Sequence, residues 1–144
     1  MRLSLYTDFA LRALIYLGAN RDGKPVSAAQ IAARYHVSRH HMHKVAQGLR
    51  RLGYVRSISG RYGGLQLALA PERLNIGEVV EAMEGSGRLV DCRRDPCPLH
   101  GGCLLKGALD RAERQFMDEL KKYTVADVLR GPTLLRLERL IKAA

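Results

Sequence analysis

At 144 residues the chain has the size of one domain, or of one small domain with an attached dimerisation element. A hydrophobic fraction of 47% supports a buried core and argues against disorder, and no apolar run approaches the ~20 residues of a membrane span. The net charge of +10 is lopsided: residues 1–67 hold eleven Lys/Arg against two acids, whereas residues 68–144 hold thirteen against twelve. That asymmetry points to a polyanion partner for the first half, and away from a membrane surface, because the cations are not gathered behind one apolar helical face.

The first element, within LYTDFALRALIYLGAN, reads as an amphipathic helix and not as a signal peptide, because Asp8 and Arg12 interrupt it and no small-residue cleavage site follows. Without an export signal the expected location is cytoplasmic. Thr7 is the expected cap of a helix from about Asp8 to Gly18, with Phe9, Leu11, Leu14, Ile15 and Leu17 at helical spacing. After the loop NRDGKP, Ser27 and Gln30 form a capping-box pattern for a second helix with Ile31, Ala32 and Tyr35 inward. A tight turn follows, and Ser38 can cap a third helix. Its residues Met42, Val45, Leu49 and Leu52 form one apolar stripe, which leaves Arg39, His40, His41, His43, Lys44, Gln47 and Arg50 facing outward. Two short helices joined by a tight turn, the second rich in donors, have the geometry that enters a DNA major groove. Metal binding at His40 and His43 is disfavoured because Arg39 and Lys44 would repel a cation.

In YVRSISGRYGGLQLALA, Tyr54, Arg56 and Ile58, and then Leu65, Leu67 and Leu69, alternate as half-buried strands do. SGRYGG between them is a hairpin turn with Arg61 and Tyr62 at its tip, placed as a wing that reaches the DNA backbone or minor groove. The predicted DNA contacts are therefore Ser27, Ser38, Arg39, His40, His41, His43, Lys44, Arg50, Arg61 and Tyr62, on double-stranded operator DNA. The fold class is mainly α with a small β-hairpin wing: a winged helix-turn-helix domain over residues 1–74, then a cysteine loop and long dimerisation helix over 75–144.

In that second part, PERLNIGEVVEAMEGSG reads as a short helix ended by Gly85, with Ile76, Val79, Val80 and Met83 inward. LLKGALDRAERQFMDELKKY is a longer one whose stripe Leu105, Leu109, Ala112, Phe116 and Leu120 needs a cover. A second copy of the chain is the natural one, because two-fold DNA readers place two recognition helices about one turn of DNA apart; the stripe is also expected to touch the chain's own first helix. TVADVL, capped by Thr124, and PTLLRLERLIKAA close the chain.

Between these helices lie the only cysteines, Cys92, Cys97 and Cys103, in DCRRDPCPLHGGCLL. Three thiols leave one over from any disulfide, and a reducing compartment disfavours bridges. A structural zinc site wants four ligands, with His100 available as the fourth. An iron–sulfur cluster accepts thiolates from an irregular loop, and Arg93 and Arg94 would offset its negative charge. Spacing alone leaves iron–sulfur, zinc and bare redox-active thiols open. An electron-transfer protein or small enzyme is a further alternative, against which the basic first half counts.

Taken together, LYTDFALRALIYL, SAAQIAARYHVSRHHMHKV, GRYGGLQLA, the cysteine loop, LKGAL and YTVADV resemble the NsrR/IscR-like family of winged-helix iron–sulfur redox repressors almost end to end. The cysteine spacing, CPL at Cys97 and LLKGAL after Cys103 are most similar to its nitric-oxide-sensing branch. Another branch has a His three residues past the last Cys, where this chain has Lys106. The resemblance implies a homodimeric, non-enzymatic repressor with nitric oxide as its signal. It implies an iron–sulfur cluster, [4Fe-4S] favoured over [2Fe-2S], held by Cys92, Cys97 and Cys103. It further implies a non-thiolate fourth ligand, Asp8 from the partner subunit, with His100 or water as competitors. A first-turn acid such as Asp8 is also favoured by the helix dipole with no cluster at all.

Overall fold

A computed structural model describes residues 3–85, 89–92 and 97–143. Among them are seven α-helices and one two-stranded antiparallel sheet. Helix α1 (Leu5–Ala19) runs through the middle of the core. Ala10, Ala13 and Leu14 on it are at most 1% exposed, and its small alanines let α3 (Arg39–Arg51) and α4 (Ile76–Glu84) pack closely against it. The helix starts earlier than the sequence indicates. Ser4, not Thr7, is its cap: the Ser4 hydroxyl accepts from the Thr7 amide at 3.2 Å. Thr7 is fully buried one turn in, its hydroxyl 3.0 Å from that of Ser4. Both residue types cap helices, Ser being the somewhat better of the two, so local chemistry separates them only slightly. Burial is also broader than one stripe, since Tyr16 and Ala19 are covered while Leu11 and Ile15 are only partly so.

The next two helices meet expectation at their caps. Ser27 and Gln30 close a reciprocal capping box at the start of α2 (Ala28–Arg34), with contacts of 3.1 and 2.8 Å. The Ser38 hydroxyl accepts from the His41 amide at the start of α3. The apolar face of α3 is Met42, Val45, Ala46 and Leu49; Leu52 is 44% exposed as the C-cap residue, just before Gly53 turns the chain with φ of 76°. Gly48 is the point of close approach to α1. A Cβ there would meet the Tyr6 hydroxyl at 1.8 Å.

Strands β1 (Val55–Ile58) and β2 (Gly64–Leu67) pair with Val55 opposite Leu67 and Ser57 opposite Leu65. Val55 is the buried residue of β1, one position off the Tyr54, Arg56 and Ile58 alternation; Tyr54 precedes the strand and packs partly against the core, and Ile58 is 37% exposed. A four-residue strand carries too short a pattern to define its phase; Leu65 across the ladder defines it here. Val26 extends the sheet by exchanging two hydrogen bonds with Leu65, at 3.0 and 2.8 Å. Gly64 makes this possible, since a Cβ there would lie 2.7–2.9 Å from the Val26 backbone.

A single 3-10 turn (Pro71–Arg73) precedes α4, whose cap is Asn75 and whose end is Gly85. The longest helix, α5 (Leu104–Leu120), lies against α4 and has no buried residue along its 17 positions. Its C-terminal end is held firmly: Asn75 donates to the Lys121 carbonyl at 2.7 Å, and the Ile76 amide to the Tyr123 carbonyl at 2.9 Å. At its N-terminal end Leu104 is 90% and Leu105 69% exposed. The short α6 (Val125–Val128) is capped by Thr124 as expected. The last helix, α7 (Gly131–Lys142), returns to α1 and buries Leu137, which answers where the amphipathic C-terminal segment packs. Among the described residues no helix is long and apolar enough to cross a membrane.

Candidate nucleic-acid interface and thiol loop

One side of the molecule gathers most of the predicted DNA contacts. Burying Met42, Val45, Ala46 and Leu49 of α3 leaves Arg39, His40, His43, Lys44, Gln47, Arg50 and Arg51 exposed on the opposite side. His41 differs: it sits on the flank toward α1, 6.3 Å from the Phe9 ring, and lines an apolar cavity of about 180 Å³ with Leu5, Tyr6, Phe9, Lys44 and Val45. At the tip of the hairpin Arg61 stacks over Tyr62, 5.8 Å from the ring centroid, and Tyr62 is 82% exposed. Gly60 turns the chain there with φ of 112°, a conformation side chains resist. Ser27 and Ser38 stand at the starts of α2 and α3, each accepting an amide, so their hydroxyl protons remain able to donate. Arg51, Arg56 and Ser57 are not singled out by the sequence pattern as contacts, yet all are exposed beside this surface. A signal for Arg51 does exist: it lies four residues past Gln47, on the same helical face.

The hairpin is braced from behind. Arg56 donates to Gln66 at 3.1 Å, and Gln66 donates in turn to the Gly23 carbonyl. Between α3 and the hairpin runs a trough of about 310 Å³, lined by Ser27, His43, Gln47, Arg50, Ser57 and Ile58 among others.

Away from this face, Cys92, Cys97 and Cys103 are all half-buried and unbridged. Cys103 occupies the N-cap of α5, where its sulfur accepts from the Lys106 amide at 3.4 Å. A helix start presents partial positive charge, a favourable setting for a sulfur ligand of an anionic group. Soft, unpaired sulfur donors of this kind fit an iron–sulfur cluster. Among the described residues no three His, Cys, Asp or Glu side chains stand together as a metal-holding group, the three thiols included. Arg93 and Arg94 lie outside the described residues. His100 is exposed on the turn before Gly101.

Asp8 is in the first turn of α1, and its carboxylate grips Arg12 with contacts of 2.8 and 3.0 Å. Arg12 in turn lies 6.0 Å from the Phe9 ring and 5.8 Å from the Tyr35 ring. Tyr35 donates to the Arg12 carbonyl at 3.2 Å. Burial pushes the Tyr35 hydroxyl up to about 12, although the Arg12 charge acts against it, so it remains a neutral donor at physiological pH. The Asp8–Arg12 pair thus connects the first turn of α1 to the end of α2 at Tyr35 and, through Phe9, to His41 of α3. A second anchor lies nearby: the Ser4 amide donates to Glu84 at 2.7 Å, tying the start of α1 to the end of α4.

A capped helix pair with an outward basic helix, followed by a braced basic hairpin, defines a winged helix-turn-helix regulator of transcription. Similarity to known proteins agrees with this and sharpens it. The chain belongs to the Rrf2 family, "Iron-dependent Transcriptional regulator", which matches residues 3–131. It is 39% identical over 139 residues to the HTH-type transcriptional regulator NsrR of Bacillus licheniformis, covering 94% of this chain and 97% of that one. To NsrR of Bacillus subtilis it is 41% identical over 134 residues, covering 91% and 92%. Among solved structures it is similar to T. potens IscR, with a TM-score of 0.73 at 24% identity, covering 90% of this chain and 86% of that one. CymR, the global cysteine regulator of B. subtilis, has a TM-score of 0.69 at 26% identity, covering 88% and 95%. The mainly helical, winged-helix fold and the DNA-binding class read from the sequence therefore stand.

Proposed function

We propose that the chain is a homodimeric, cytoplasmic repressor that holds an iron–sulfur cluster, [4Fe-4S] in preference to [2Fe-2S], and leaves operator DNA when nitric oxide reaches it. The observation that carries this reading is Cys103 at the positively polarised start of α5, in a chain about 40% identical to regulators named NsrR. Cys92, Cys97 and Cys103 are the thiolate ligands, and Asp8 from the partner subunit is the fourth. Bound there, the cluster supplies the iron on which nitric oxide reacts. The dimer forms on the uncovered side of α5, whose stripe Leu105, Leu109, Ala112 and Phe116 is only partly covered by α4.

The residues of this chain supply the coupling. In the single chain Asp8 belongs to Arg12; as a ligand in the partner's site it is drawn away, and Arg12 keeps only its stacking on Phe9 and Tyr35. Returning Asp8 to Arg12 after cluster loss changes what holds the end of α2 and the flank of α3, and so the pose of the recognition helix. On the DNA side, Arg39, His40, His43, Lys44, Arg50, Arg61 and Tyr62 make the contacts, with Ser27 and Ser38 donating to phosphate and His41 at the margin.

Anaerobic purification with iron and sulfide analysis, followed by nitric oxide titration read out by gel shift, tests this reading. Expected are a coloured protein with equal iron and sulfide, operator affinity that falls on titration, and an Asp8→Ala variant in which that fall is lost. Colourless, iron-free protein that still regulates would leave zinc or bare thiols, and unchanged affinity at full nitrosylation would eliminate the sensing role.

A further inference from the structure

The trough between α3 and the hairpin separates the two elements with which a winged helix meets DNA. A winged helix puts its recognition helix in the major groove and its wing toward the neighbouring minor groove. One DNA strand separates those two grooves, and it crosses the protein between the two elements. Here a trough of about 310 Å³ lies between those two elements. Gln47 lies in the middle of the outward face of α3, with Arg50 and His43 beside it; Ser57 faces them from β1, and Ser27 closes one end. Ala28, Ala46 and Ile58 add apolar lining. Neutral donors and one guanidinium beside such a lining suit a phosphodiester and its deoxyribose better than a base edge, which needs a protruding pair of groups.

One end of the trough is also braced. Val26, next to Ser27, exchanges two hydrogen bonds with Leu65, and Leu65 is paired with Ser57 across the ladder. The Ser27 end of the trough and its hairpin wall are therefore fixed to one another by the sheet, which reduces the ordering needed to seat a strand. Resting on the DNA-binding reading above, we infer that this trough is the seat of the DNA strand between the two grooves. Gln47 and Ser57, to which no role is otherwise assigned, donate to its phosphates together with Arg50. Gln47 is thus a positioning contact and not a base reader, despite its central place on the recognition helix.

The test uses the full-length chain and two probes: a random-sequence duplex, and a duplex selected from a random pool by the unaltered protein. Gln47→Ala and Ser57→Ala should weaken both probes by the same factor, roughly tenfold per lost hydrogen bond to a charged group and so about a hundredfold for the two subunits of a dimer, which preserves the ratio between the probes. His40→Ala should change that ratio. Placing neutral methylphosphonates in turn along the selected duplex should reveal one position per half-site at which Gln47→Ala has no further effect. Circular dichroism melts keep the result interpretable, since Gln47 is exposed and its replacement leaves the fold intact. Tight binding of both probes by both variants would overturn the trough assignment alone, as would a Gln47→Ala effect confined to the selected duplex. A parent protein with no affinity for any duplex would instead overturn the DNA-binding reading itself.

Discussion

Lys44→Ala isolates the electrostatic part of DNA binding. Lys44 is exposed on the outward side of α3, and no ion pair occupies it among the described residues. Its loss should therefore cost no folding stability, and it should remove one phosphate contact per subunit, two in a dimer. Each phosphate neutralised contributes about 0.9 to the slope of log affinity against log salt, so the slope should flatten by about 1.8. Over a fourfold rise in salt the parent protein then loses roughly twelve times more affinity than the variant. Fluorescence anisotropy of a labelled duplex across that range measures the slope directly, with a thermal melt to verify that folding is unchanged. A variant whose slope equals that of the parent would show that α3 does not lie against the phosphates with this face, and the docking described above would be wrong. A slope change of half the expected size would mean that one subunit engages DNA, which contradicts a two-fold reader.

Three further outcomes follow from other parts of the molecule. Cys103→Ser and Cys103→Ala should both lose iron and visible absorbance, but Ser retains a helix cap, so only Ala should also lower the apo-protein's stability, by about 1 kcal/mol in urea titration; equal stability of the two would mean the cap contributes nothing. Gly77→Ala should destabilise by roughly 1–3 kcal/mol, because its Cβ would lie 2.7 Å from the Lys121 backbone nitrogen where α4 meets the end of α5. For Glu84, burial raises the carboxyl but hydrogen bonds from Thr7 and Ser4 outweigh it, holding the group below its ordinary value. A depressed carboxyl stabilises the fold above the unfolded value of about 4.3 and loses that contribution as pH falls through the folded value. Melting curves under acid conditions should accordingly show Glu84→Gln losing less stability on acidification than the parent chain, and parallel curves would refute the link between α4 and the start of α1.

Much of this protein is decided by local chemistry that a linear reading can reach. Capping pairs such as Ser27–Gln30 and Ser38 with the His41 amide act over three residues, and the stripe Met42, Val45 and Leu49 follows helical spacing, so the helix-turn-helix is legible in the amino-acid order alone. The same holds for the basic hairpin tip and for the clustering of all three thiols in one loop. Tertiary structure decided what depends on distant partners. Ser4 prevailed over Thr7 as the cap of α1 in a place where Glu84, eighty residues away, accepts from the Ser4 amide. The phase of β1 followed from Leu65 and Val26, and the covering of the last helix from α1. Only the fold could show that Arg12 of α1 lies over the Tyr35 ring at the end of α2, or that Ser57 and Gln47 line one trough. Spacing rules describe neighbours along one helix or strand, whereas these relations join elements whose meeting is set by how the whole core packs.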